Sequence, residues 1–455
     1  MNTRIDTPLP GPRGLPLVGV LPGLLREGVF EYLEHTWRTY GDMFQVPTIG
    51  RERIIVAAHP EAIERVVNRD DLYLKDRNYD PIRPLLGDGL ITSSGAHWVA
   101  QRKLIQPMFH RNMLRGYVAT MARCVHAMLD RWDGHAASGQ PLDIHDELLH
   151  LTHQIVGLTL FGLDIRDSAA EAAHAVMDGL QIAGERVNRG ALALPLALPT
   201  PGNLRFRRAI RLLDKFVLSI IAEARRSEPP PPEQPRTLLR LLLDARGERG
   251  EAMDDRMLRD ELLTQYVAGQ ETSALTISWA LYLLAGREEL MDRVRGEAAA
   301  LGDPSPSLEE LDGLVYTRMV IDEILRLRPP AWALTRRARE ADVLRGYPVP
   351  AGGTVMFGIY FVHRHPDFWE RPDALYPEHF TPERTKARHH CAYLPFSAGP
   401  RSCIGRRFGI YEVVLMLGMI LRRFHIEVLP DQRVGMKVGA TCQPDRPILA
   451  RVRRA

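Results

Sequence analysis

From Pro60 to Ala224 apolar residues recur mostly at three-and-four spacing, the pattern of helices that each bury one face. An amphipathic helix is predicted ahead of them, over Val29 to Tyr40. Between the two, Met43 to Ala58 is rich in Ile, Val and Phe and is broken at Ile49-Gly50, which predicts a two-strand hairpin. The proline- and glycine-studded start, Pro8 to Pro22, predicts extended chain. Two interruptions divide the helical region. Asp76 to Gly95 carries Pro81, Pro84, Gly87, Gly89 and Gly95, and Ala191 to Pro201 is apolar but holds three prolines. Five prolines in Glu228 to Pro235 predict a solvent-exposed linker.

Further along, Asp260 to Leu284 is apolar on most faces and predicts one long buried helix. A helix over Tyr316 to Leu327 is stopped by Pro329-Pro330. Trp332 to Tyr360 alternates as strands do, and His363 to Arg388 is rich in turn formers. A last strong helix is predicted over Gly405 to Arg423, followed by strand-like pieces. No internal repeat and no domain boundary shows. The expected architecture is a single domain over 1–455, mainly α with small β-sheets.

Composition adds exclusions. The chain has 455 residues, 45% apolar and 25% charged, which is globular rather than disordered. A formal net charge of +3 makes no case for nucleic-acid binding. Cys124, Cys391, Cys403 and Cys442 are too few for a disulfide framework and lack paired CxxC spacing, so a reducing, cytoplasmic setting is expected. No stretch reaches the roughly 18 apolar residues of a spanning helix. The first residues have neither the basic nor the apolar region of a signal peptide, so neither export nor a membrane anchor is expected.

The richest segment is Phe396-Ser-Ala-Gly399-Pro-Arg401-Ser-Cys403-Ile-Gly405. Cys403 stands just before a predicted helix, whose unpaired N–H groups and dipole favour an anion and lower a thiol pKa. Gly399 and Gly405 would let backbone pass close to a flat, bulky group. Arg401 would reach an anionic substituent of that group, and Phe396 supplies an apolar wall. A catalytic nucleophile at a helix N-terminus is an alternative, but no local histidine signature accompanies it.

This segment resembles the haem-binding signature of the cytochrome P-450 superfamily, Phe-x-x-Gly-x-Arg-x-Cys-x-Gly, matched at every fixed position. Other elements follow in the family's order over essentially the whole chain. The resemblance implies the family fold, with haem b (iron protoporphyrin IX) between the long buried helix and the cysteine-loop helix, and Cys403 as axial iron ligand. Ala268-Gly-Gln-Glu271-Thr272 is similar to the oxygen-activation motif. It implies that Thr272 donates a hydrogen bond at the dioxygen site and that Glu271 helps relay protons. Trp98-Val-Ala-Gln-Arg102 resembles the propionate-binding element. Arg102, Arg337 and Arg401 are the propionate candidates, with Arg336 an alternative to Arg337. Glu323-Ile-Leu-Arg326 resembles the buried pair that locks the haem loop, its third member being His379 or Arg384. Leu90, Ile91, Ala268, Trp332, Leu334 and Thr441 are expected to line a largely apolar pocket, with Ala191 to Pro201 as its lid.

The resemblance further implies a monooxygenase that inserts one oxygen atom of O2 into a lipophilic molecule. Terpenoid, steroid, fatty acid and polyketide are the candidate substrates, most simply for hydroxylation in bacterial secondary metabolism. With no flavin or iron–sulfur module in the chain, electrons are expected from a ferredoxin or flavodoxin with its NAD(P)H-dependent reductase. Such a partner would meet a basic surface of Lys103, Arg406, Arg407, Arg422 and Arg423 on a monomer. Rival functions are a peroxide-driven peroxygenase and a redox-independent haem-thiolate isomerase, both disfavoured by the Glu271–Thr272 pair. An idle haem-binding or sensing module is the rival of another class.

Overall fold

The computed structural model describes residues 8–50, 52–165, 169–189, 193–227, 237–246 and 252–455. The predicted linker over 228–235 lies outside them, as do residues 191 and 192 of the predicted lid.

Helices dominate the middle of the chain and strands lie towards both ends, as the periodicities predict. The elements that place the site begin with α1 (Val29–Tyr40), β1 (Met43–Pro47), β2 (Arg53–Ala57), α2 (Pro60–Asn68) and β3 (Tyr73–Leu74). Then come α3 (Gly95–Ile105), α4 (Arg111–Ser138), α5 (Ile144–Val156), α6 (Ala169–Arg189), α7 (Pro201–Arg226) and α8 (Asp255–Leu284). After α9 (Val315–Leu327) follow β4 (Ala333–Ala338), β5 (Thr354–Gly358), α10 (Arg406–Arg423), β6 (Met436–Val438) and β7 (Cys442–Pro444). The proline-rich start is free of helix as far as Val20 but is not extended throughout, because Leu15 and Gly19 close a tight turn with Leu17 at φ +65°. A short helix begins at Leu21, with Pro22 in its first turn, where the missing N–H costs nothing.

Helix α8 spans 30 residues, about 45 Å at 1.5 Å per residue. Asp254 caps it by accepting the Met257 N–H. It runs through the main core, where fully buried Trp132, Phe206, Tyr266 and Trp279 pack with the apolar faces of α4, α5, α7 and α10. Two smaller cores sit at the sheet end. One joins α2 to the five-stranded sheet, and the other packs Phe30, Trp37 and Phe361. The sheet order is β1-β2-β5-β4-β3, antiparallel except for the parallel β2–β5 pair. No helix among the described residues is long and apolar enough to cross a membrane.

Candidate active site

Cys403 lies in the turn leading into α10. Its N–H donates to the Phe396 carbonyl at 2.9 Å, and the Ser402 N–H donates to Gly399 O at 3.1 Å, closing the loop on itself. Gly399 takes φ +69°, and a Cβ there would stand 2.1 Å from the Val67 carbonyl oxygen at the end of α2. The loop is thus pinned against the sheet-end core, and glycine is required by that backbone contact. At Gly405 an added Cβ would meet only Phe109 and the Cys403 sulfur, at 3.7 and 4.0 Å. Gly399 thus has a requirement of its own, set by Val67, beside the one expected of both glycines. The Cys403 thiol is accessible yet enclosed by protein, so it opens onto internal space. Burial pushes its pKa up, while the Gly405 N–H and the charges of Arg102 and Arg406 pull it down.

Helix α8 presents a break in its burial at the predicted motif. Ala268 is exposed, and Gly269 and Thr272 are half-buried, in a helix otherwise buried from Asp260 to Leu281 apart from these three. Positions 268 and 272 are one turn apart and share a face. The Thr272 hydroxyl donates to the Ala268 carbonyl at 2.9 Å. Glu271, about 100° round the helix from Thr272, is 1% exposed and faces another way. Its Oε1 accepts from Thr441 Oγ1 at 3.0 Å and from Gln443 Nε2, both on or beside the β6–β7 hairpin. Burial raises its pKa, and those two hydrogen bonds lower it in part.

Three guanidinium groups and the Lys75 amine gather beside the cysteine loop. Arg102 donates to Ser402 O at 2.9 Å, Arg401 to Ser93 O at 3.3 Å, and Arg336 to Tyr79 Oη at 3.1 Å. Lys75 reaches the Leu90 carbonyl at 3.4 Å and that of Ile91 more closely. None of the four makes an ion pair among the described residues, and Arg401 Nε has no partner. Trp98 stacks beneath the Arg401 and Arg102 guanidinia, with centroid distances of 4.1 and 5.6 Å. Burial lowers the pKa of Lys75 to about 6, with Arg401 and Arg336 adding to the effect. Cations held together without counter-charge call for a dianionic group between them. The two propionates of a haem fit that demand, and the open thiol and the open face at Ala268 fit its plane and iron.

The structure corrects one propionate candidate. Strand side chains alternate between faces, and in β4 it is Arg336 that is buried at 5% while Arg337 is exposed and donates to the Gly352 carbonyl. Arg336 therefore joins the cluster and Arg337 does not. The predicted basic surface also shrinks. Lys103, Arg406 and Arg407 are exposed near the cysteine loop. Arg422 and Arg423 lie at the far end of α10, about 24 Å away along the helix. There Arg423 pairs with Asp130 and Asp133, and Arg422 donates to Leu301 O.

Of the predicted pocket residues, Ala268 is open, Ile91 half-buried and Leu90 buried. Trp332 is held edge-on against Phe30 at 5.5 Å and donates to Gly439 O at 3.0 Å. Leu334 is half-buried opposite Phe357 in the sheet. Thr441 is engaged with Glu271. Residues 193–200 of the predicted lid form a non-helical turn with exposed Leu194 and Leu198.

Glu323, Arg326 and His379 form one buried network. Arg326 grips Glu323 with two hydrogen bonds of 2.8 and 2.7 Å, and His379 Nδ1 lies 3.1 Å from the same carboxylate. Arg384 instead pairs with Glu370 at the surface. Arg326 also donates to the carbonyls of His363, Pro372 and Ala374.

Sequence reasoning missed three residues. Lys75 completes the basic cluster, and its only signal was a lysine in a short strand-like piece. His363 accepts the Leu394 N–H on Nε2 at 2.8 Å, so the proton sits on Nδ1, which donates to the Arg326 carbonyl at 3.2 Å. It ties the buried network to the segment leading into the cysteine loop. Glu412 in α10 is fully buried, accepts from Ser273 Oγ and leaves its other oxygen unpartnered; burial pushes its pKa up to about 8.

Comparison with known proteins agrees with this geometry. The family model described as Cytochrome P450 matches residues 9–449. Cyclooctat-9-en-7-ol 5-monooxygenase of Streptomyces melanosporofaciens is 33% identical, over 92% of this chain and 89% of the relative. Pentalenene oxygenase of Streptomyces avermitilis is 30% identical, over 97% and 96%. Human Cytochrome P450 4F2 is 32% identical, over 86% and 79%. Matched in this way from end to end, the chain belongs to the cytochrome P450 family and is a haem-iron monooxygenase, an oxidoreductase that incorporates oxygen from O2.

Proposed function

We propose that this enzyme hydroxylates a cyclic terpenoid in bacterial secondary metabolism, using non-covalent haem b with Cys403 as the iron's thiolate ligand. The observation that carries the haem placement is the pairing of an enclosed, open thiol with a cluster of basic side chains at its edge that make no ion pair among the described residues. Support for the substrate comes from two relatives matched almost end to end, one named for a cyclooctatenol and one for pentalenene.

Bound haem supplies the O–O cleavage and C–H oxidation that no side chain here provides. The chain's own residues hold and feed it. Arg102, Arg336 and Arg401 take the propionates, with Trp98 beneath two of them and Lys75 beside them. Phe396 and Gly405 frame the thiolate face. Thr272 orients a hydroxyl in the groove at Ala268, and Glu271 replaces the proton it gives up. Glu323, Arg326 and His379 hold the loop that carries Cys403. Two electrons come from a ferredoxin or flavodoxin and its reductase, received by the monomeric enzyme in the cytoplasm at the Arg406–Arg407 face.

The test is the reduced, carbon-monoxide difference spectrum of the purified protein, followed by a spin-state titration with cyclic sesquiterpene and diterpene hydrocarbons and alcohols. A strongly red-shifted Soret band that Cys403→Ala abolishes, with a low-to-high-spin shift for a cyclic terpene, is the expected result. A histidine-like band refutes the thiolate assignment. Shifts with fatty acids and none with terpenes refute the substrate class.

A further inference from the structure

The β6–β7 hairpin meets α8 at the Glu271 carboxyl and at Trp279, whose indole N–H donates to Cys442 O at 3.1 Å. Thr441 and Gln443 both donate to Glu271 Oε1, and Oε2 has no partner among the described residues. The same two side chains line a cleft of about 60 Å³ between α6 and the hairpin, together with Gln181, Glu185 and Lys437. That volume is above the roughly 10–15 Å³ needed to hold a water. Glu185 is half-buried and Lys437 exposed, so the outer end of the cleft is wet. At Gly184 an added Cβ would stand 2.9 Å from the Ala440 nitrogen, so α6 and the hairpin tip touch beside it.

We infer that this cleft is the path by which protons from solvent reach Glu271, and that Thr441 and Gln443 are the positioning residues that hold the carboxyl at its inner end. The inference rests on the monooxygenase reading, in which Glu271 supplies Thr272.

Three features carry it. The carboxyl faces the hairpin and not the open face shared by Ala268 and Thr272, so its proton source is on the hairpin side. Its two partners are neutral donors. They orient the carboxyl without pinning it as a permanent ion pair, as a guanidinium would. They also differ in what they do. A threonine hydroxyl both donates and accepts, so it passes a proton on; the Gln443 amide N–H only donates and fixes orientation. The charged groups at the mouth, Glu185 on α6 and Lys437 on β6, border water. Glu185 is itself held by Gln181 at 3.1 Å and paired with Arg189 at 3.6 Å.

The experiment uses the holoenzyme and four variants, Thr441→Val, Thr441→Ser, Gln443→Ala and Glu271→Gln. The infrared carboxyl band of Glu271 is identified by its loss in Glu271→Gln. Coupling is read as hydrogen peroxide released per NADPH consumed, with a surrogate ferredoxin and reductase and the terpene that best shifts the spin state. Thr441→Val and Gln443→Ala should each move the band, and Thr441→Val should raise peroxide release several-fold and enlarge the solvent isotope effect. Thr441→Ser, which keeps the hydroxyl, should restore both. An unmoved band overturns the positioning role. A moved band with wild-type coupling and isotope effect overturns the route. Failure of the underlying reading shows separately, as a wild-type protein without the thiolate spectrum, because the infrared band is present with or without turnover.

Discussion

At the scale of the residue, Arg336 and Arg337 show what a sequence holds and what it withholds. Either arginine of the pair suits a carboxylate equally well by chemistry; only the strand's phase decides, and a one-residue slip reverses it. The structure puts Arg336 with Lys75 and Arg401, so Arg336→Ala should speed haem transfer to an apo-globin acceptor by about tenfold or more. One charge-assisted hydrogen bond contributes about 1.5–3 kcal/mol. Arg337→Ala, exposed on the other face, should transfer haem at the wild-type rate. Glu412 was not legible at all, because a glutamate in a helix ordinarily points to water and nothing in its spacing says otherwise. Its folded pKa of about 8 lies above the ordinary 4.5, so the folded chain holds a proton that the unfolded chain releases. The stability linked to it is complete below about pH 4.5 and is lost as pH rises towards 8. Thermal melts across that window should show wild type losing up to about 1.4 kcal/mol per pH unit from this group. Glu412→Gln should flatten the slope, and an equal slope in both proteins would show that Glu412 does not carry it.

At the scale of the element, the long helices were the most legible part. The amphipathic and fully apolar periodicities place α1, α8, α9 and α10 within a few residues of their observed ends, because burial of a face or of a whole helix leaves a repeating mark. What a helix buries between its polar residues is less legible. Glu323 and Arg326 look like an ordinary surface pair at i, i+3, yet both are 0% exposed and are satisfied by His379 and three carbonyls contributed from the 363–374 segment. Only the family resemblance distinguished the two cases. Removing one partner of such a pair leaves the other charge buried and costs about 3–5 kcal/mol. Glu323→Ala should therefore lower the melting temperature sharply and release the cysteine loop, which His363 ties to this network through Leu394. The check is differential scanning calorimetry beside the carbon-monoxide spectrum. Loss of stability with the thiolate spectrum retained would separate the network from the loop.

At the scale of the whole molecule, a mainly helical fold with small sheets followed from the periodicities of the patterned regions. The pairing of its parts did not. β2 lies parallel to β5 across about three hundred residues of chain, and no local pattern encodes such a contact. The same limit explains the overdrawn basic surface. The expected surface joins Lys103 to four arginines that follow the cysteine segment in sequence, but one helix carries Arg422 and Arg423 away to bind Leu301, Asp130 and Asp133. What remains around the cysteine-loop end of α10 is a cleft of about 550 Å³ whose walls include Arg111, Arg318, Arg406, Arg407 and Tyr411. Arg111 is committed to Glu309 and Asp312, and Arg318 to Asp322. Arg406 and Arg407 make no ion pair among the described residues and are exposed, so they are charges free to steer an acidic electron donor, both on the wall of the cleft. Long-range steering of this kind acts on association and is screened by salt. Arg407→Glu should therefore raise the apparent KM for an acidic ferredoxin several-fold at low ionic strength and leave kcat nearly unchanged. The gap from wild type should close as salt is added. A matching loss in kcat that persists at high salt would mean that Arg407 acts on the cysteine loop itself rather than on the approach of the donor.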